Sequence, residues 1–219
     1  MNDVKEFQLY TITGESFHPG RELVDVIEQA MLGGSDIIQL RDKSSSKREV
    51  LRKALQLREL TRKHDVLFIV NDHIDVALAS DADGIHLGQD DLPIAEARKI
   101  VGDKIIGIST HRIEEAREAE REGADYIGVG PVFATKSKVD VVDPVTTAYV
   151  REVAKEIRIP WVAIGGIKLH NVDEVLQAGA RRICAISEIV GSQDVKGTCE
   201  AFLRKIRQVR TVNISGVDR

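Results

Sequence analysis

Cysteine is almost missing from this chain: Cys184 and Cys199 are the only two in 219 residues. Two thiols cannot build a disulfide framework or a thiolate metal centre, so they read as reduced residues packed in a core. Aromatic residues make up only 4%, which leaves no evident platform for stacking nucleic-acid bases. Positive charge is not in surplus either. The formal net charge is −4, which argues against the basic footprint that non-specific nucleic-acid binding needs. No apolar run approaches the roughly 20 residues of a membrane span, and the opening MNDVKEFQLY has the pattern of neither a signal nor a transit peptide. These absences predict a cytoplasmic protein that engages neither nucleic acid nor membrane; a homo-oligomer stays open.

What is present is ordinary globular composition, 42% hydrophobic and 30% charged, arranged in a strict alternation. Short apolar runs predict strands near 8–13, 36–41, 67–71, 84–87, 104–109, 126–130, 160–165 and 182–187. Amphipathic segments between them predict helices at 21–32, 46–64, 74–80, 94–101, 113–122, 147–157, 171–178 and 195–209. Ser46 and Glu49 form a candidate capping box for the helix at 46–64. A weak repeat, GGSDII (33–38), SDADGI (80–85), EGADYI (122–127) and AGARRI (178–183), marks helix ends entering strands, where glycine suits the left-handed C-cap. Eight such units predict an α/β fold, a single compact (β/α)8 TIM barrel, in one domain. A doubly wound open sheet is the alternative, disfavoured by the missing Gly-rich first turn. The core spans about 7–209, and 211–219 reads as a frayed tail.

In such a barrel the chemistry belongs at the C-terminal ends of the strands. Two strands end there in acid: FIVND runs into Asn71-Asp72 and GIHLG into Gln89-Asp90-Asp91. Strand periodicity puts Gln39, Arg41 and Lys43 on one face, as it does Gly84, His86 and Gly88, Gly107 and Ser109, and Gly128 and Gly130. The opposite faces are aliphatic and suit the outer helices. Asp72 and Asp91 are hard oxygen ligands for Mg²⁺, which is commonly held by one or two carboxylates plus substrate phosphates. Arg41 and Lys43 supply positive charge for phosphate oxygens, although two acids and two bases also suit an ion-pair network. Gly165-Gly166 after strand 7, with Ser187 after strand 8, matches a recurrent phosphate site of this fold. Thr135, Ser137 and Lys138 lie on the longest connection of that rim, a candidate lid over a bound anion.

Together, QLRDK (39–43), VND (70–72), DGIHLGQDDLP (83–93), GISTH (107–111), ADYIGVGPVFATKSK (124–138) and AIGGI (163–167) resemble the thiamine-phosphate synthase family over about residues 7–209. The resemblance implies a Mg²⁺-dependent transferase. It would join 4-amino-2-methyl-5-hydroxymethylpyrimidine diphosphate to a thiazole phosphate by a dissociative route, releasing pyrophosphate. It implies Asp72 and Asp91 as metal ligands, and Arg41, Lys43, Asn71 and Lys138 on the diphosphate. Gln39, His86 and Ser109 would line the pyrimidine pocket. Thr135 and Ser137 would cover the thiazole phosphate, cradled by Gly165, Gly166, Ile186 and Ser187. Lys138, Ser109 and Arg41 would be the catalytic residues.

The match has departures. Ser137 stands where the family usually has Thr, and Ala134 where Pro is frequent. The 139–147 loop lacks an expected glycine. Glu188 replaces a small residue and is expected to weaken the second phosphate site. A thiazole tautomerase of the same barrel family, a sugar-phosphate isomerase and a non-catalytic relative are the rivals. Asn71, Asp72, Asp91 and Lys138 argue against the tautomerase, which needs no diphosphate site, and Arg41 and Lys43 opposite two carboxylates argue against the sugar-phosphate isomerase; the lid departures keep the non-catalytic relative open.

Overall fold

The computed structural model describes residues 4, 6–135 and 143–214. Eight parallel strands close into a barrel in chain order: β1 (Leu9–Ile12), β2 (Ile37–Leu40), β3 (Leu67–Asn71), β4 (Gly84–Leu87), β5 (Ile105–Thr110), β6 (Tyr126–Val129), β7 (Trp161–Ala163) and β8 (Ile183–Ala185). The helices are α1 (Leu23–Leu32), α2 (Lys47–Lys63), α3 (Ile74–Ala79), α4 (Ile94–Val101), α5 (Ile113–Arg121), α6 (Thr146–Glu156), α7 (Val172–Gln177), α8 (Ser187–Val190) and α9 (Val195–Ile214). The fold is the expected (β/α)8 barrel, not the open sheet.

The differences from expectation lie at element ends. β7 and β8 are three residues each, shorter than 160–165 and 182–187. The chain leaves the ladder early, through Gly165 at φ +99° and Ile186 at φ −113°, ψ −90°. The 3-10 turn Glu15–Phe17 and α8 are too short to leave a periodic trace. Helix α9 runs on to Ile214, so the segment expected to fray from 211 begins as helix. The Ser46 hydroxyl does cap α2, accepting from the Glu49 N–H at 3.4 Å. Glu49 does not reciprocate; Arg52 holds its carboxylate.

The two faces of each strand separate as the period of two requires. Ile38, Leu40, Ile85, Leu87, Ile106, Ile108, Ile127 and Val129 are at most 5% exposed. Burial of each such side chain contributes about 1.5–3 kcal/mol. The inner register runs Gln39↔Ile69, Asn71↔His86, His86↔Gly107, then Gly107↔Tyr126 and Ser109↔Gly128. Gly107 is small for a packing reason. A Cβ there would lie 2.1 Å from Tyr126 Cζ, so the glycine makes room for the tyrosine ring.

The sequence repeat acquires a physical meaning at the opposite, N-terminal rim. In its first three copies an aspartate precedes an even-numbered strand and accepts from the backbone of the odd-numbered strand before it. Asp36 Oδ2 accepts from Gln8 and Leu9 N–H at 2.7 and 2.9 Å. Asp83 accepts from Phe68 N–H at 2.8 Å, and Asp125 from Ile106 N–H at 2.8 Å. The guanidinium of Arg58 grips Asp83 with both terminal nitrogens, at 2.8 and 2.9 Å. In the fourth copy Arg181 takes the place of the acid, and its neighbour Arg182 lies over the Phe7 ring at 5.3 Å. Asp83→Ala is therefore expected to lower stability by about 2–3 kcal/mol through the lost charged hydrogen bonds. Urea unfolding reads this as a lower midpoint at constant m; an unchanged midpoint would deny the staple any role.

Candidate active site

The C-terminal strand ends open into a cleft of about 920 Å³. Arg41 and Lys43 reach it from the turn after β2, Asn71 from the end of β3, Asp72 just beyond, and Asp91 from the loop after β4. Thr135, Gly165, Gly166, Ile186 and Ser187 line the same cleft, as does Ser109 of β5. Gln39 and His86 sit one layer deeper, 1% and 8% exposed, around a small void that they share with Ser109. Ser137 and Lys138 lie outside the described residues.

Local backbone geometry aims the acid pair. Asp72 adopts φ +61°, a left-handed conformation that aspartate tolerates better than most residues. Its N–H still donates to the His86 carbonyl at 3.0 Å, so the chain turns off the ladder at the rim. Burial, and then the negative charge of Asp91, push the Asp72 carboxyl above the usual aspartate value, against the pull of Lys43 and Arg41. The Lys43 ammonium is 3.5 Å from Asp72 and half exposed, a geometry worth little as an ion pair. A self-neutralising network would have lowered that carboxyl. Negative charge at Asp72 that Lys43 and Arg41 leave uncancelled suits an added cation.

The Arg41-Asp42-Lys43 turn is staked from below by residues that sequence reasoning passed over. Lys53 lies on the apolar stripe of α2 and is 7% exposed. Its ammonium bonds Asp42 at 2.7 Å and also the Glu15 carboxylate. Asp42 Oδ1 accepts from the N–H groups of Ser44 and Ser45, both at 3.0 Å. Burial disfavours its charge, but Lys53 and the serine donors prevail and hold the carboxyl well below the usual range. The signal available was a lysine at a core position, between Val50 and Ala54.

Both glycines of Gly165-Gly166 have positive φ, +99° and +64°. A Cβ on Gly165 would lie 2.4 Å from Pro131 Cα, and one on Gly166 2.7 Å from the Ala134 carbonyl. The pair thus lets the 131–134 segment lie directly on the β7 loop, where Phe133 N–H donates to Gly165 O at 3.0 Å. The Gly166 carbonyl accepts from the Asn171 side-chain amide at 3.0 Å. With both carbonyls engaged by protein, the N–H edge is the side left for an anion. Glu188 accepts from Leu169 N–H at 3.3 Å, which ties α8 to this loop.

Below the cleft a chain of hydrogen bonds runs through the barrel interior. The Gln39 amide donates to the Tyr10 hydroxyl at 2.8 Å. Tyr10 and Tyr126 hydroxyls are 2.8 Å apart, Tyr126 meets His86 Nδ1 at 2.8 Å, and His86 Nε2 meets Ser109 Oγ at 2.9 Å. Neither tyrosine was singled out from the sequence, although Tyr126 shares the inner face of Gly128. His111 also lines the cleft, its Nδ1 bonded to the Gly130 carbonyl at 2.6 Å.

Known proteins resemble this chain closely. A family model described as thiamine monophosphate synthase matches residues 9–189. The thiamine-phosphate synthase of Halalkalibacterium halodurans is 72% identical over 206 residues, 94% of this chain and 98% of that one. That of Shouchella clausii is 63% identical over 206 residues, covering 94% and 99%. Thiamine phosphate pyrophosphorylase from Pyrococcus furiosus superposes with a TM-score of 0.84 at 40% identity, covering 94% of this chain and 98% of that structure. On these matches, and on a closed barrel whose rim gathers the acid pair and the glycine pair, the chain belongs to the thiamine monophosphate synthase family.

Proposed function

We propose that this protein is a thiamine-phosphate synthase, a transferase of thiamine biosynthesis. It couples 4-amino-2-methyl-5-hydroxymethylpyrimidine diphosphate with a thiazole phosphate and yields thiamine phosphate and pyrophosphate. The observation that carries the reading is that one cleft holds Asp72, Asp91, Arg41 and Lys43 together with Gly165, Gly166 and Ser187. One group suits a diphosphate and the other a phosphate monoester. An isomerase of the thiazole phosphate would leave the first group without a use.

The donor set fits Mg²⁺. No group of three or more His, Cys, Asp or Glu able to hold a metal occurs among the described residues, but two carboxylates suffice for an ion that also takes substrate phosphate oxygens. Asp72 and Asp91 would hold it, and bound there it would neutralise charge on the diphosphate as a Lewis acid. Arg41 and Lys43 bind and orient the diphosphate oxygens, and Asn71 hydrogen-bonds beside them. In the dissociative route, the bond from the pyrimidine methylene carbon to the diphosphate oxygen breaks with its electron pair leaving on oxygen. Fixed positive charge stabilises what develops there, and Lys138 is assigned to that departing group. The thiazole nitrogen lone pair then forms the new bond to carbon. That nitrogen carries no proton, so the step needs no general base. Gln39, His86 and Ser109 form the floor under the pyrimidine; Thr135 and Ser137 cover the thiazole phosphate, with Ile186 in its cradle. Among the described residues no helix is long and apolar enough to cross a membrane, and we place the enzyme in the cytoplasm.

Purified protein given both substrates and Mg²⁺ is expected to release pyrophosphate and thiamine phosphate one for one, to stop on adding EDTA, and to resume with excess Mg²⁺. Coupling indifferent to EDTA would remove the metal assignment. No coupling at all would return the isomerase or a non-catalytic binder.

A further inference from the structure

The interior chain has a direction, and the direction sets what Ser109 can offer a substrate. A glutamine amide nitrogen is only a donor, so the Tyr10 hydroxyl, which accepts from Gln39 Nε2, passes its own proton to Tyr126. Tyr126 then accepts from Tyr10 and has its proton left for His86 Nδ1. An imidazole whose Nδ1 accepts carries its proton on Nε2, and that nitrogen faces Ser109 Oγ. The serine oxygen thus accepts from His86, and its own proton is turned to the cleft.

We propose that Tyr126 is a positioning residue that holds His86 as the Nε2–H tautomer, so that Ser109 presents a hydrogen-bond donor, not a lone pair, to a substrate oxygen or nitrogen. The reverse polarity would need the Gln39 amide turned about, and would make Ser109 an acceptor. Burial protects the assignment. Tyr10, Tyr126 and Gln39 are at most 1% exposed, and the Tyr126 ring is held by Phe7 edge-on at 6.3 Å and by Tyr10 at 5.9 Å. Burial also pushes the Tyr126 phenol far above its ordinary value, so it keeps the proton it donates. The substrate part of the inference rests on the transferase reading; the tautomer does not.

The test is the long-range ¹H–¹⁵N spectrum of protein labelled in its six histidines, recorded without substrate, with His86 identified by His86→Gln. A pyridine-type Nδ1 and a pyrrole-type Nε2 are expected at His86. A pyrrole-type Nδ1 overturns the proposal whether or not the protein couples substrates; failed coupling with the expected spectrum overturns the function alone. Tyr126→Phe keeps the ring over Gly107 and removes the donor. It is expected to mix the two tautomers and to lower kcat about tenfold, less than the 10²–10³ of outright loss of a catalytic donor, at unchanged KM. In a Ser109→Ala background the same change is expected to cost nothing further, because it acts through that hydroxyl. Full additivity there would overturn the positioning role, and if Tyr126→Phe fails to fold, the wild-type spectrum still decides the polarity.

Discussion

Asp72→Asn is expected to lower kcat/KM by about 10²–10³-fold, the scale for losing one charge-stabilising element of a preorganised site, while the metal-free protein melts slightly higher. The two effects share one cause. Burial and Asp91 raise the proton affinity of the folded Asp72 carboxyl, so the folded state binds that proton more tightly than the unfolded chain. Stability is favoured below the ordinary aspartate value and is lost as pH rises through the raised one. At neutral pH an uncharged asparagine relieves that repulsion, worth about 0.5–1 kcal/mol, or roughly 1–4 °C for a chain of this size. Adding Mg²⁺ and pyrophosphate is expected to reverse the order, since only wild type gains the ligand's stabilisation. Initial rates of pyrophosphate release, with melts in both conditions, check this. Activity and folding lost in equal measure would return Asp72 to a purely structural role.

Gly166→Ala is expected to raise KM for the thiazole phosphate by about 10–10²-fold and to lower the melting temperature, with KM for the pyrimidine diphosphate little changed. The added methyl meets two obstacles. A left-handed conformation costs a non-glycine residue about 1–2 kcal/mol. At φ +64° the Cβ would also stand 2.7 Å from the Ala134 carbonyl and 2.8 Å from Phe133 Cβ, and overpacking of this kind costs about 1–3 kcal/mol. Either the β7 loop or the 133–134 segment must shift, and both border the proposed phosphate site. Gly123→Ala is the matched control. Gly123 has φ +86° with nothing within 4 Å of an added Cβ, so it bears the backbone cost alone and is expected to leave both KM values unchanged. Equal KM changes in the two variants would refute a steric role for Gly166.

Much of the rim was legible before the fold was known. Alternation along GIHLG and GISTH separated His86 and Ser109 from Ile85 and Ile108, and the acids past β3 and β4 were assigned to one rim because parallel strands of a barrel end there together. The reading was incomplete where one residue type serves two physical ends. Gly107 was placed only on the inner face with Ser109, and the space it leaves is filled by Tyr126. Gly165-Gly166 looked like an anion cradle and is also the seat of the 131–134 segment. Lys53, which the sequence reading passed over, lies buried against Asp42 and Glu15.

What the amino-acid order determined by itself was the eightfold alternation, the inner and outer faces of β2, β4, β5 and β6, and the acid pair, because periods of 2 and 3.6 are local properties of the backbone. Closure of the barrel decided the rest. It brought Tyr10 against Tyr126 across 116 positions of sequence, set Asp36, Asp83 and Asp125 on their neighbouring strands, and gave the interior chain its direction. Contacts of that range leave no periodic trace, since they depend on which strands become neighbours and on how much room each side chain leaves the next.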